Sequence, residues 1–214
     1  ATIAARQNEL PSAAIVASDA RTLRDGSDDS KGGANGLRDE SIQLIVTSPP
    51  YPGAQKYIRS VSLSLGWLGM CRADELLPLK RQTIGREEYR KAECERAVQT
   101  GIPPADRLLR EIHRKDPCRA TIAGTYLIEM RDALREMYRV IKPGGHLVLV
   151  AANNKICHRE FRTQEYLRRL AEETGFATKL RLIDNIRSRG LMTKRNSTAD
   201  MITREWVLVF EKGR

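Results

Sequence analysis

No apolar run in this chain approaches the roughly 20 residues that a membrane-crossing helix needs, so the sequence predicts no membrane partner. The chain does not begin with the long apolar stretch of a secretory leader, and it lacks a first methionine, which fits a processed, trimmed or excised polypeptide. Its four cysteines, Cys71, Cys94, Cys118 and Cys157, include no Cys-x-x-Cys pair. With no leader, they are expected to be reduced thiols of a cytoplasmic protein. Cys157 adjoins His158 and His113 precedes Cys118, but neither spacing suits zinc, so no metal site is expected. No internal repeat is present.

What is present is a chain of 214 residues, 41% apolar and 30% charged, enough for one domain carrying a sizeable insertion. Its 37 lysines and arginines outnumber 27 carboxylates, leaving a net charge of +10. Such an excess favours a polyanionic partner, because bound cations release counterions from phosphates. The basic residues are interleaved with acidic ones, so they do not mark a separate tail.

Residues 13–19, Ala-Ala-Ile-Val-Ala-Ser-Asp, predict a short buried strand ending in the Asp19 carboxylate. Residues 25–36 are rich in Gly, Ser and Asp and read as a surface loop. Gly32, Gly33 and Gly36 lie in this polar stretch without a preceding apolar strand, so they read as linker rather than phosphate cradle. Residues 42–47 form a second apolar run, and Ser48-Pro49-Pro50-Tyr51 ends it abruptly. The stretch 52–120 does not alternate strand with helix. Leu63, Leu65, Trp67 and Leu68 are its expected core residues, and 87–98 and 106–114 are expected helices with opposite charges at short spacing.

From Thr121 the pattern turns regular. Leu127, Met130, Leu134, Met137 and Val140 recur at helical spacing, and Pro143-Gly144-Gly145 is expected to end that helix. Residues 146–151 predict a buried strand, 164–174 a helix stopped at Gly175, and 179–186 and 204–210 two further strands. The order implies an α/β sheet with an antiparallel end.

Two prolines after a strand remove two backbone donors and forbid further ladder, leaving nearby carbonyls to accept hydrogen bonds beside the flat Tyr51 ring. Ser48-Pro49-Pro50-Tyr51 resembles the catalytic motif of the amino-methyltransferases that modify DNA at cytosine N4 or adenine N6. Lys142-Pro143-Gly144-Gly145 and the terminal strand pair are also similar to the Rossmann-like methyltransferase fold. That turn is common to methyltransferases of every substrate class, so it bears on fold alone. The resemblance covers 13–51 and 121–212. It implies S-adenosyl-L-methionine as cofactor and Ser48, Pro49, Pro50 and Tyr51 as catalytic residues. Ser48 and the Pro49 carbonyl would accept from the exocyclic amine, and Tyr51 would stack on the extruded base. Serine rather than aspartate at position 48 favours cytosine N4, with adenine N6 in DNA or RNA as the alternative. Asp19 matches the acidic residue that contacts the adenine end of the cofactor, or else is a loop-capping carboxylate. Asn153 and Asn154 follow a strand at the edge of the expected crevice, or else simply form a turn.

The chain departs from this family in one respect. It has no Gly-rich turn for the methionine end of the cofactor, and no strand ending in an acid to hold the ribose. The sheet therefore reads as partial, beginning near the third strand. A complementary cofactor-binding segment or subunit, or a homo-oligomer, is expected to cover its open edge. The expected organisation is 1–51 and 121–214 as two parts of a catalytic α/β domain, with 52–120 a helical insertion that recognises the DNA target. Arg81, Arg86, Arg90, Lys91, Arg107, Arg110, Arg114 and Lys115 are its candidate contacts, with Arg187, Arg189, Lys194 and Arg195 as a second group. The overall expectation is a DNA methyltransferase of restriction-modification type. A non-catalytic DNA-binding subunit that retains the fold is the competing class.

Overall fold

A computed structural model describes residues 13, 15–24, 36–52, 57–187 and 202–214. Its centre is a four-stranded sheet in the order β1-β2-β6-β5, from β1 (Ile42–Thr47), β2 (Ile141–Ala151), β5 (Phe176–Asn185) and β6 (Arg204–Lys212). β1 and β2 are parallel, and β6 runs antiparallel to both β2 and β5. β5 and β6 are the antiparallel terminal pair that the sequence predicts. A two-stranded ribbon, β3 (Asn154–Ile156) with β4 (Arg159–Phe161), follows β2.

Helix α4 (Pro117–Val140) spans the core. Pro117 occupies its first turn, where the missing N–H is no loss, and the Asp116 side chain accepts from the Arg119 N–H. α5 (Thr163–Thr174) ends at Gly175, whose φ of +117° is the left-handed cap that glycine adopts without a Cβ penalty. Leu127, Met130 and Leu134 of α4 and Leu167 and Leu170 of α5 pack with Leu147, Leu149, Leu208 and Phe210 of the sheet. α3 (Pro103–His113) adds Leu109 and Ile112 to the same core.

Among the described residues only one face of the sheet is covered this way. Along each strand alternate side chains point to opposite faces. The ladder register places Val46, Val148, Val209 and Leu180 in one row, with Val150, Val207 and Leu182 beside it. Leu44, Val46, Leu180 and Leu182 are all more than half exposed. All-parallel sheets bury both faces while antiparallel sheets can leave one to solvent, and this sheet mixes one parallel with two antiparallel pairs. Here an aliphatic face lies open among the described residues, and β1 is an edge with no described partner on its outer side.

Several expectations are corrected. Residues 13 and 15–19 form no strand: Ile15 is exposed, and the segment runs over α4, where the Leu23 N–H reaches Glu136 at 3.0 Å. Helix α1 (Tyr57–Trp67) does form, but Leu63 is 73% and Trp67 87% exposed, and Leu68 just beyond it is exposed too. Leu65 is only half-buried. Of 87–98, only Lys91–Cys94 is helical, as a single 3₁₀ turn. α2 (Leu76–Gln82) and α3 complete the helices before α4. Cys94 and Cys118 are joined as a disulfide with Cα atoms 4.9 Å apart, while Cys71 and Cys157 are free thiols. The fold brings together two cysteines 24 residues apart, which no local spacing announces. Gly32, Gly33, Arg189, Lys194 and Arg195 lie outside the described residues.

Lys142-Pro143-Gly144-Gly145 does not end α4 either. The helix stops at Val140 and Ile141 is already extended, with ψ of 135°. The proline still acts at a distance, since it disfavours helical backbone at Lys142. The four residues bulge out of β2 opposite Gln43, between the pairs Ile42–Ile141 and Leu44–His146. Gly145 is where the β1 backbone comes closest: a Cβ there would lie 2.9 Å from the Gln43 and Lys142 carbonyl oxygens. Backbone atoms cannot rotate away as a side chain can. Gly145→Ala is therefore expected to cost about 1–3 kcal/mol as β1 is pushed aside. A urea midpoint unchanged from the parent protein would contradict that close approach.

Candidate active site

β1 ends at Thr47, and the two prolines carry the chain out over the carboxyl ends of the parallel pair. Ser48 is exposed, Pro49 and Pro52 are buried, and Pro50 and Tyr51 are half-buried. Among the described residues nothing hydrogen-bonds to the Ser48 hydroxyl or the Pro49 carbonyl. The two residues after the prolines are held in place. The Tyr51 hydroxyl donates to Glu205 Oε1 at 2.7 Å, which ties the ring to the start of β6. Asn154 Nδ2 donates to the Pro52 carbonyl at 2.7 Å, and Thr163 Oγ1 in turn donates to Asn154 Oδ1 at 3.4 Å. Asn154 is thus a clamp on the motif and the first residue of β3 rather than a turn residue.

Behind the prolines the packing is close. Gly85, with φ of +76°, lies where a Cβ would meet the Tyr126 ring at 3.4 Å and Pro50 Cβ at 3.7 Å. The Gly85 N–H donates to Glu129 at 3.2 Å, and burial pushes the Glu129 carboxyl above its ordinary range. The loop after α2 is thereby wedged between α4 and the motif. Neither Glu205 nor Glu129 is flagged by the sequence, because a lone carboxylate in a strand or helix has no local signature of what it will touch.

Asp19 lies apart from the motif, at the α4 side. Arg21 binds both of its carboxylate oxygens, with Nη2 2.7 Å from Oδ2, and the Arg21 N–H donates to Oδ1 at 2.9 Å. These hydrogen bonds hold the Asp19 carboxyl below its usual range. Arg21 also reaches Glu129 and the Gln82 carbonyl. Asp19 is therefore joined through Arg21 to the Glu129 that supports the motif from behind. The fold keeps Ser48, Pro49, Pro50 and Tyr51 together and sets Asn154 and Glu205 beside them. Asp19 is linked to them only at second hand.

The candidate recognition residues are spread over the helical stretch. Arg86 stacks over the Tyr89 ring at 4.5 Å and donates to the Arg81 carbonyl at 3.0 Å. Arg90 takes part in the cap of the 3₁₀ turn. Among the described residues no group of three or more His, Cys, Asp or Glu side chains is placed to hold a metal ion, and no helix is long and apolar enough to cross a membrane.

No protein-family model matches the chain, and no curated protein matches it. Among solved structures it is similar to a Thermus thermophilus protein named as a candidate DNA modification methylase. That likeness has 18% identity and a TM-score of 0.42, over 83% of this chain and 49% of the other. The same Thermus protein, solved in complex with S-adenosyl-L-methionine, matches at 17% identity and a TM-score of 0.40, over 83% and 48%. A SAM-dependent methyltransferase from Methanosarcina mazei matches at 15% identity and a TM-score of 0.29, over 41% of this chain and 53% of that one. The chain thus spans about half the length of the Thermus protein, and the case for function falls to the site itself.

Proposed function

We propose that this chain methylates an exocyclic amino group in DNA, with cytosine N4 the preferred target and adenine N6 the alternative. One observation carries the reading. An exposed serine hydroxyl, without a partner among the described residues, stands at the end of a parallel strand, beside a tyrosine ring pinned by Glu205 and a proline turn pinned by Asn154. The amine of a nucleobase is a poor nucleophile because its lone pair is delocalised into the ring. Ser48 Oγ and the Pro49 carbonyl would accept hydrogen bonds from its two N–H groups, draw nitrogen toward tetrahedral geometry and stabilise the positive charge that develops there. Because the Tyr51 hydroxyl is already bound to Glu205, its ring is held ready to stack on a base taken out of the duplex. The excess of cations supplies affinity for the phosphate backbone.

S-adenosyl-L-methionine, when bound, would supply a methyl group on a sulfonium. The described residues do not fit a complete cradle for it: no Gly-rich turn is present, and Arg21 already holds Asp19. We assign that role to a complementary segment or subunit, which would also cover the open aliphatic face and the free edge of β1. The same mismatch supports the second reading, a DNA-binding subunit without catalysis. The test is nucleoside analysis of DNA from cells expressing the gene in its native neighbourhood. N4-methyldeoxycytidine is expected, and N6-methyldeoxyadenosine alone would move the target to adenine. Neither base above the level of a deletion strain would leave only the non-catalytic reading.

A further inference from the structure

On the opposite side of β6 from the Tyr51–Glu205 contact lies a cleft that the proposed chemistry does not use. Glu205 and Trp206 are consecutive in the strand and point to opposite faces. Trp206 faces a cleft of about 580 Å³ between α5, β5 and the start of α3, lined also by Gln164, Tyr166, Arg169 and Arg181. A second cleft of about 430 Å³ adjoins it, and Asn153, Glu160 and Trp206 belong to both. The two form one continuous groove with the indole in its shared wall. Asn153 accepts from the Gln164 N–H at 3.4 Å and donates to Glu160 at 3.2 Å. Asn153 lines both clefts, and Asn154, which holds the motif, also lines the second.

Two features of this groove call for a ligand. Gln164 is only 4% exposed, and its Oε1 has no hydrogen-bond partner; the Trp206 Nε1–H is likewise buried and unpaired. The orphaned acceptor and the orphaned donor belong to two lining residues of the same cleft, where an unmade hydrogen bond is costly. A planar ligand edge bearing both a donor and an acceptor would relieve the two once the wall side chains rotate to admit it. The charge is the second feature. Lys155, Arg162, Arg169, Arg181 and Arg204 line the groove against the carboxylates Glu160 and Glu165. Glu165 is held by Arg168 at 2.8 Å and by Arg169 at 3.3 Å, Arg162 lies 3.4 Å from Glu160, and Arg181 has no ion-pair partner among the described residues. A cationic channel with an aromatic wall and a buried amide suits a strand of nucleotides, with phosphates along the guanidiniums and a base against the indole.

We infer that this groove is a second nucleic-acid site, which holds unpaired nucleotides of the same DNA at a distance from the reacting base. The inference deepens the proposed function and rests on its choice of DNA as partner. Trp67→Phe leaves Trp206 as the sole tryptophan, and Trp67 is exposed enough to be replaced without loss of fold. Titrating that protein with a single-stranded oligonucleotide of about 12 nucleotides, within the span that one such groove holds, should quench the indole emission saturably. Gln164→Leu and, independently, Arg181→Glu should each weaken the binding about tenfold. Arg181 is exposed on β5, so its substitution tests the groove even where Gln164→Leu perturbs folding. A silent Trp206, unchanged affinity in Arg181→Glu, or an equal response to polyglutamate would overturn the assignment. Quenching in a protein that methylates no base would retain the groove and remove the methylation reading. Methylation with a silent indole would do the reverse.

Discussion

Ser48→Ala is expected to lower methyl transfer to the target base by about 10²- to 10³-fold, the usual cost of removing one preorganised group that stabilises developing charge. The loss should fall on kcat rather than KM, because the hydroxyl is asked to hold the amine most strongly as it becomes cationic. Stability should be unaffected, since Ser48 is exposed, lies beyond the last residue of β1 and has no hydroxyl partner among the described residues. Ser48→Asp keeps an acceptor at the same place and should retain more activity than alanine. Single-turnover transfer of a labelled methyl group, with thermal melting of the same samples, separates the two effects. Activity within about twofold of the parent in Ser48→Ala, far short of the loss expected for such a group, would remove the serine from the chemistry.

The parts of the fold legible in the sequence are those whose local pattern and tertiary fate coincide. Residues 146–151 and 204–210 are apolar-rich runs and 179–185 mixes leucines with charged residues, and each becomes strand because an adjacent strand completes its ladder. The helical spacing from Leu127 to Val140 survives in α4 because that stripe meets the sheet. Residues 13 and 15–19 find no neighbouring strand among the described residues, and without a ladder an apolar run stays outside the sheet. The α1 segment shows that apolar composition does not establish burial: nothing described covers Leu63 or Trp67. The region 87–98 has helical charge spacing but little apolar stripe, so tertiary packing adds nothing to a marginal propensity.

The candidate site follows the same rule. Its position after β1 is written in the strand-proline-proline-aromatic order. The residues that hold it are not, because Glu205 and Asn154 lie 154 and 102 positions from their partners Tyr51 and Pro52. Only assembly of the sheet, with β2 between β1 and β6, brings Asn154 at the start of β3 and Glu205 at the start of β6 to the residues that follow β1. The same assembly leaves the aliphatic rows of the second face open among the described residues.

Phe210→Ala should remove about 3–5 kcal/mol of stability, a large part of the roughly 5–15 kcal/mol that a domain holds. Phe210 is fully buried on the covered face of β6, where it pairs with Leu147 on one side and Thr178 on the other. Its ring lies 6.1 Å from Phe176, which meets the Tyr138 ring edge-on at 5.0 Å. Truncation would leave a cavity between two strands and α4 that these rigid rings cannot close. In a chain of this length the melting temperature should fall by roughly 2–4 °C per kcal/mol lost. Its neighbour Val209 offers the contrast, because it faces the open side of the same strand and is only half-buried. Val209→Ala should cost the isolated chain about 1 kcal/mol or less. That cost should rise when the proposed complementary segment is bound, since the same methyl groups would then be buried. Equal losses at the two positions in the isolated chain would mean that both faces of the sheet are already covered.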